Sequence, residues 1–264
     1  MLTPFESGHA PVNGIEMYYE VHGPSGGVPL VLLHGGGSTI GVTWSKVLPL
    51  FAQSRRVIAV EEQGHGRTTD RDAPVGFESS ADDVAALLRH LDVAQADVFG
   101  FSNGAQVALH VAVRHPALVR KLVFASAMTK KAGAYPWVWE FMQNADFSNM
   151  PQPLKDAFLE VNPDPQRLRT MHDKDAARMQ NFQDVPDDLV RAMAAPTLVI
   201  AGDRDIVRPE HAVELSQLIP EGRLLVLPGG HGDYLGEAIM TPEGSRYFEV
   251  TARLVEDFLE SQQG

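Results

Sequence analysis

Val98-Phe99-Gly100-Phe101-Ser102-Asn103-Gly104-Ala105 decides how the rest of this chain is read. A short apolar run (Ala96, Val98, Phe99) meets Gly-x-Ser-x-Gly, and residues 105–112 then follow a helical pattern. A strand that turns sharply into a helix at a serine strains that serine's backbone and crowds the positions two before and two after it. Glycine at 100 and 104 removes the Cβ atoms that would collide there. Ser102 would then project above a sheet edge, beside the unpaired N–H groups of a helix start.

A serine hydroxyl is a weak nucleophile until a base takes its proton and an acid orients that base. Both partners lie downstream, in the order Ser, Asp, His. The buried-strand pattern of residues 196–202 ends in Asp203-Arg204-Asp205, and residues 223–227 form another such strand before Pro228-Gly229-Gly230-His231-Gly232. Either aspartate, and His231, would therefore stand just beyond the carboxyl end of a strand, where open α/β sheets collect their sites. Upstream, the apolar run 29–33 leads into His34-Gly35-Gly36-Gly37-Ser38. Glycines let that backbone approach a substrate and aim N–H groups at a developing oxyanion.

Taken together, His34-Gly35-Gly36, Gly64-His65-Gly66-Arg67, Gly100-Phe101-Ser102-Asn103-Gly104, Gly202-Asp203-Arg204-Asp205 and Gly230-His231 resemble the α/β-hydrolase-fold serine hydrolases. The similarity is to the small esterase, enol-lactonase, haloperoxidase-like and proline-iminopeptidase branches that carry a helical cap. It runs from about Gly14 to the C-terminus and is weakest between Met128 and Ala195. The resemblance implies a mostly parallel central sheet flanked by helices, with a core domain of residues 1–127 and 196–264 and a helical cap of residues 128–195. It implies Ser102 as nucleophile, His231 as general base and Asp205, three residues after the strand-ending glycine, as orienting acid. The oxyanion donors it implies are the N–H groups of Gly36 and Asn103, with Gly35 and Gly37 as flanking alternatives. The chain departs from the family pattern at Glu61-Glu62-Gln63, where an aspartate is common; Glu61 reads as a structural substitute that bonds the nearby loop.

The chain has 264 residues, 44% of them hydrophobic and 21% charged, enough for one large α/β domain with an insertion. A net charge of −12 disfavours nucleic acid and anionic membrane surfaces as partners, since both require a basic face. Cysteine is absent, so compartment cannot be read from thiols. Residues 1–7 carry neither a positive end nor an apolar stretch, which predicts no signal peptide and, by default, a cytoplasmic protein.

Strands are predicted at residues 15–21, after an Asn13-Gly14 turn, and at 56–60 and 121–125, with helices at 79–91, 210–218 and 245–259. Ser79 or Ser80 is the expected N-cap of the first helix. Residues 128–195 break the strand–helix alternation. They hold Tyr135, Trp137, Trp139, Phe141, Phe147, Phe158 and Phe182, and Met128, Met142, Met150, Met171, Met179 and Met193. Prolines 136, 151, 153, 163, 165 and 186 divide this stretch into short helices that would lie over Ser102. Trp137, Trp139, Phe141 and Phe147 are the candidate substrate-binding residues of an apolar pocket.

His172-Asp173-Lys174-Asp175 mixes metal-capable side chains but reads as a solvated helix face, and His65 as a residue that fixes loop geometry. No dinucleotide or phosphate loop occurs, and neither a cofactor nor a metal is expected. The function these readings favour is hydrolysis of an ester or lactone of a small to medium apolar carboxylic acid. The cap offers no obvious acidic pair to hold a free amino terminus, which favours esters over amides. Two alternatives share the fold: a small-molecule receptor with slow hydrolysis, and a cofactor-free lyase or oxygenase.

Overall fold

The apolar runs flanking the glycine-rich loops become strands because each is buried along its whole length, as strands covered on both faces must be. The computed structural model describes residues 4–261; residues 1–3, part of the stretch read as lacking a leader, lie outside it. Within the described residues the strands are β1 (Glu6–Val12), β2 (Ile15–His22), β3 (Leu30–Leu33), β4 (Val57–Val60), β5 (Ala96–Phe101), β6 (Val119–Ala125), β7 (Thr197–Gly202) and β8 (Gly222–Leu227). They form one 8-stranded sheet in the order β1-β2-β4-β3-β5-β6-β7-β8. Only the β1–β2 and β2–β4 pairings are antiparallel; from β4 to β8 every pairing is parallel. This is the α/β-hydrolase fold that the sequence predicts.

The helices are α1 (Ile40–Trp44), α2 (Leu48–Phe51), α3 (Phe77–His90), α4 (Asn103–Arg114), α5 (Pro136–Gln143), α6 (Gln152–Val161), α7 (Pro165–Gln180), α8 (Asp187–Arg191), α9 (Pro209–Leu218) and α10 (Tyr247–Glu260). Two apolar layers sandwich the sheet. Val84, Leu87, Leu88, Val107 and Val111 of α3 and α4 pack on one face. Trp44, Phe51, Val255 and Leu259 of α1, α2 and α10 pack on the other. No helix among the described residues is long and apolar enough to cross a membrane.

One cap expectation fails. Helix α3 begins at Phe77, and its N-cap is Gly76 in extended conformation. Ser79 sits inside the first turn, where its hydroxyl accepts the Gly76 N–H at 3.1 Å and donates to the Gly76 carbonyl at 3.0 Å. A serine in the first turn can bond the cap backbone as well as a serine at the cap itself, so composition alone misplaced the boundary.

Between β6 and β7 the chain leaves the sheet for α5, α6, α7 and α8. Part of this insertion has its own small core of Met150, Phe158, Leu168 and Met171. Val138, Met179, Phe182 and Val190 join the main core instead, which ties the insertion to the body.

Candidate active site

The turn at Ser102 is sterically forced. Ser102 has φ 54° and ψ −120°, a left-handed conformation unusual for a residue with a side chain. A Cβ on Gly100 would lie 2.2 Å from the Gly104 carbonyl oxygen, and one on Gly104 would lie 2.2 Å from that of Leu33. These glycines let β5 run into α4 at this angle and leave the Ser102 side chain at the carboxyl edge of the sheet.

His231 and Asp205 arrive from the loops after β8 and β7. The His231 Nε2 is 3.0 Å from Ser102 Oγ, and Nδ1 is 2.7 Å from Asp205 Oδ1. With Nδ1–H donating to the carboxylate, Nε2 is left to accept from the hydroxyl. Asp205 is the better-provided aspartate. Its Oδ1 also accepts the Ile206 N–H at 2.7 Å, and its Oδ2 accepts the Gly202 N–H at 3.2 Å and the Ser126 hydroxyl. Burial raises the Asp205 carboxyl, but His231 and the bonds from Ser126 and Gly202 together hold it below the ordinary value. Asp203 instead accepts the Gly229 N–H at 2.8 Å and braces the loop that carries His231.

Behind Asp205 stands a pair the sequence did not reveal. Tyr234 is fully buried and its hydroxyl lies 2.6 Å from Ser126 Oγ, so it donates to the serine that in turn donates to Asp205. Burial and then the Asp205 charge push the Tyr234 phenol well above its ordinary value. Neither residue belongs to a recognisable motif; Tyr234 sits three residues beyond His231, and Ser126 just past β6.

The loop after β3 supplies candidate oxyanion donors. Among the described residues the N–H groups of Gly36 and Asn103 have no hydrogen-bond acceptor. Those of the flanking glycines do: Gly35 donates to Thr43 Oγ1 at 3.4 Å, and Gly37 donates to Asp175 Oδ2 at 2.7 Å. Both flanking alternatives, Gly35 through its long bond and Gly37 through its short one, are thereby corrected as oxyanion donors. Glu61 bonds the same region, accepting the Arg67 N–H at 2.7 Å and the Ile40 N–H at 3.4 Å.

A cavity of about 410 Å³ opens over Ser102 and His231. Trp137, Val138, Phe141, Met142, Met150 and Leu154 supply much of its apolar wall. Of the candidate substrate-binding residues, Trp137 and Phe141 line it and Trp139 and Phe147 do not. The Trp139 indole N–H donates to the Lys131 carbonyl at 2.7 Å and its ring packs on Phe182. Phe147 packs edge-on to His172, between Lys155 and Arg169. Residues 137 and 139 are separated by about 200° around a helix, so both cannot face one pocket. A larger recess of about 850 Å³ between α3 and α7 holds none of the residues Ser102, Asp205 and His231.

The solvated-face reading of residues 172–175 holds for Asp173, which is exposed. It fails for Asp175, which is buried at 9% exposure and reaches the glycine loop. Asp146 and Asp175 both line the cavity, so the insertion does bring two carboxylates to it. Asp175 is paired with Arg178 and His65, whereas Asp146 is exposed and accepts the Ser148 N–H at 2.8 Å.

A family model described as "alpha/beta hydrolase fold" matches residues 28–152. The chain is 30% identical over 266 residues to a 2-hydroxymuconate semialdehyde hydrolase of Pseudomonas putida, covering 90% of this chain and 89% of that protein. It is 30% identical over 230 residues to the dihydrolipoyllysine-residue acetyltransferase component of the acetoin cleaving system of Pseudomonas putida, covering 79% of this chain but only 60% of that protein's length. Among solved structures, Est816, described as an N-acyl homoserine lactone degrading enzyme, superposes with a TM-score of 0.72 at 26% identity, covering 95% of this chain and 99% of that one.

Proposed function

This chain belongs to the α/β-hydrolase family, and from that premise we propose that it is a serine hydrolase of esters or lactones of small to medium apolar carboxylic acids. One observation carries the proposal: the Ser102–His231–Asp205 chain, with contacts of 3.0 and 2.7 Å, opens onto a cavity walled by aromatic and methionine side chains. Met142, Met150, Met179 and Met240 all reach that wall, and methionine adapts to irregular apolar shapes. The lactone named for Est816 is a cyclic ester and supports this reading, whereas the semialdehyde named for the Pseudomonas putida relative is a small molecule without an ester bond.

In the proposed reaction Ser102 Oγ gives its proton to His231 Nε2 and attacks the carbonyl carbon. The electron pair displaced from the C=O bond becomes an oxyanion held by the Gly36 and Asn103 N–H groups. Asp205 stabilises the imidazolium. Collapse re-forms the carbonyl and expels the alkoxide, which takes the proton from His231. Water then loses a proton to the same nitrogen and attacks the acyl carbon. Collapse of this second adduct breaks the bond to Ser102 Oγ, which takes the proton back from His231 as the acid is released. Residues of the β6–β7 insertion act as a cap that keeps bulk water from the acyl chain. With Asp175 held by Arg178, His65 and the Gly37 N–H, Asp146 is left as a single exposed carboxylate at the cavity and not one of an acidic pair for an amino terminus, which supports esters and lactones over peptides.

The test is labelling with a fluorophosphonate, followed by p-nitrophenyl esters of increasing chain length and a panel of lactones. Wild type should be labelled and turn over repeatedly, and Ser102→Ala should do neither. Labelling that survives Ser102→Ala would overturn the nucleophile. A single slow turnover that leaves His231 modified would move the chain to the receptor class.

A further inference from the structure

Asp175 is an expensive residue to keep where it is. Taking a carboxylate out of water costs several kcal/mol, and buried ion networks often contribute less stability than apolar side chains of the same volume. The structure nevertheless gathers two carboxylates and two cationic groups beneath the glycine loop. Asp175 Oδ1 accepts Arg178 Nη2–H at 2.7 Å, and Arg178 Nη1 donates to Glu62 at 3.0 Å. Asp175 Oδ2 accepts from His65 Nε2 at 3.0 Å, while His65 Nδ1 faces the Gln63 carbonyl at 3.0 Å. The Gly37 nitrogen also lies 3.3 Å from His65 Nε2, but Asp175 Oδ2 is its nearer acceptor. With Asp175 and the Gln63 carbonyl as acceptors, both nitrogens of His65 can carry protons, the arrangement of an imidazolium. Arg178 with Glu62, and His65 with Asp175, leave the cluster without net charge.

The remaining bond of Asp175 goes to the loop. Its Oδ2 accepts the Gly37 N–H at 2.7 Å. Gly36, one residue earlier, has no room for a side chain: a Cβ there would lie 2.3 Å from Asn103 Nδ2 and 3.1 Å from Asp175 Oδ2. His34 holds the start of the same loop, with Nδ1 donating to the Gly35 carbonyl at 2.8 Å and Nε2 accepting the Glu62 N–H at 3.1 Å. Between these anchors the peptide planes of Gly35, Gly36 and Gly37 lack side chains to resist rotation. A flip would turn a carbonyl oxygen, in place of an N–H, toward the oxyanion.

We propose that Asp175 is a positioning residue: by capturing the Gly37 N–H from helix α7, it sets the Gly36 N–H for the oxyanion and makes that geometry depend on the seating of the insertion. This rests on the reading of Ser102 as the nucleophile and extends it. The neutral cluster allows a carboxylate to stand so close to a developing anion without repelling it. His65 and Arg178 serve Asp175, and through it the loop.

The test uses the full chain as wild type, Asp175→Ala and Asp175→Asn. Three readouts are taken: kcat and KM on p-nitrophenyl butyrate, the inhibition constant of a trifluoromethyl ketone that mimics the tetrahedral adduct, and amide exchange at Gly36 and Gly37. Asp175→Ala should lower kcat about 10²–10³-fold, the loss expected for one oxyanion donor, while KM moves less than about threefold. The ketone should weaken in parallel with kcat, which a merely structural role would not produce. Asp175→Asn retains an acceptor for Gly37 and should stay within about tenfold of wild type. If Asp175→Ala does not fold, Asp175→Asn with weakened Gly37 exchange protection and a parallel loss in kcat and ketone affinity still supports the role. Unchanged kcat and Gly37 exchange in a folded Asp175→Ala, or in Asp175→Asn where the alanine variant does not fold, would overturn it. Failure of wild type to hydrolyse or label would refute the functional reading separately, and Gly37 exchange would still decide whether Asp175 sets the loop.

Discussion

Replacing Asp205 by asparagine tests the central geometry most sharply, because five donors converge on two oxygens and an amide offers one. If the amide oxygen takes the Oδ1 place, it keeps the His231 and Ile206 N–H bonds, and the NH₂ group opposes the Gly202 N–H at 3.2 Å. The imidazolium that forms at His231 then faces a neutral group where a carboxylate with no exposed side-chain surface had been. At about 4 Å between charge centres and an effective dielectric of about 20, that loss is about 4 kcal/mol, or about 10³-fold in rate. If the oxygen takes the Oδ2 place, the NH₂ group faces His231 Nδ1. The proton then moves to Nε2, 3.0 Å from Ser102 Oγ, and the base is lost, at about 10⁴-fold. The expected fall in kcat/KM is therefore about 10³–10⁴, on a chain that still folds. Asp203→Asn can still accept the Gly229 N–H and should stay within about threefold of wild type. The assay is p-nitrophenyl butyrate hydrolysis normalised by active-site titration, with Ser102→Ala as the floor and melting curves for every variant. A folded Asp205→Asn within tenfold of wild type would refute the reasoning. So would an Asp203→Asn variant that is the more damaged of the two.

Trp137 and Phe141 are 55% and 50% exposed at the cavity, so their alanine variants should shift preference along an ester chain-length series while melting points barely move. Phe158, fully buried in the insertion core, should instead lose about 3–5 kcal/mol as alanine, measured by denaturant unfolding. Gly100→Ala should not yield soluble folded protein, because its Cβ would lie 2.2 Å from the Gly104 carbonyl oxygen and 2.5 Å from Ala105 Cα; a wild-type melting curve would contradict this. Burial, and then the charge of His65, push His34 down to about 4, against the favourable charges of Glu62 and Asp175. Between that value and about 6.5 the unfolded chain binds a proton that the folded chain does not, so stability falls as pH is lowered through this window, by up to about 3 kcal/mol. His34→Gln should lose less stability over the same range in urea titrations, and equal acid slopes for the two proteins would disprove the assignment.

Local sequence was enough for strands β2 to β8, for helices α3, α4, α9 and α10, for the strained turn at Ser102, and for strand-end places for His231 and one of two aspartates. Each of these is a short-range demand. A fully buried strand needs an unbroken apolar run, the turn excludes Cβ atoms at 100 and 104, and side chains just past strand ends meet at one edge of a parallel sheet. The preference for Asp205 over Asp203 came from resemblance, and the tertiary structure supplied its physical reason: the Gly202, Ile206 and Ser126 donors all point at Asp205, while Asp203 points at Gly229. What the sequence could not carry is which side of a short helix meets the body. Helical periodicity sets Trp139 apart from Trp137 and Phe141, but it cannot say which of the two faces meets the cavity, nor place Phe147 beyond the helix. Asp175 shows the limit most clearly. Its neighbours in sequence describe a charged, solvated helix, while its partners Gly37 and His65 come from loops more than a hundred residues away. Only the packing of α7 against those loops turns a surface-like carboxylate into a buried one, because burial and charge pairing are properties of the assembled fold.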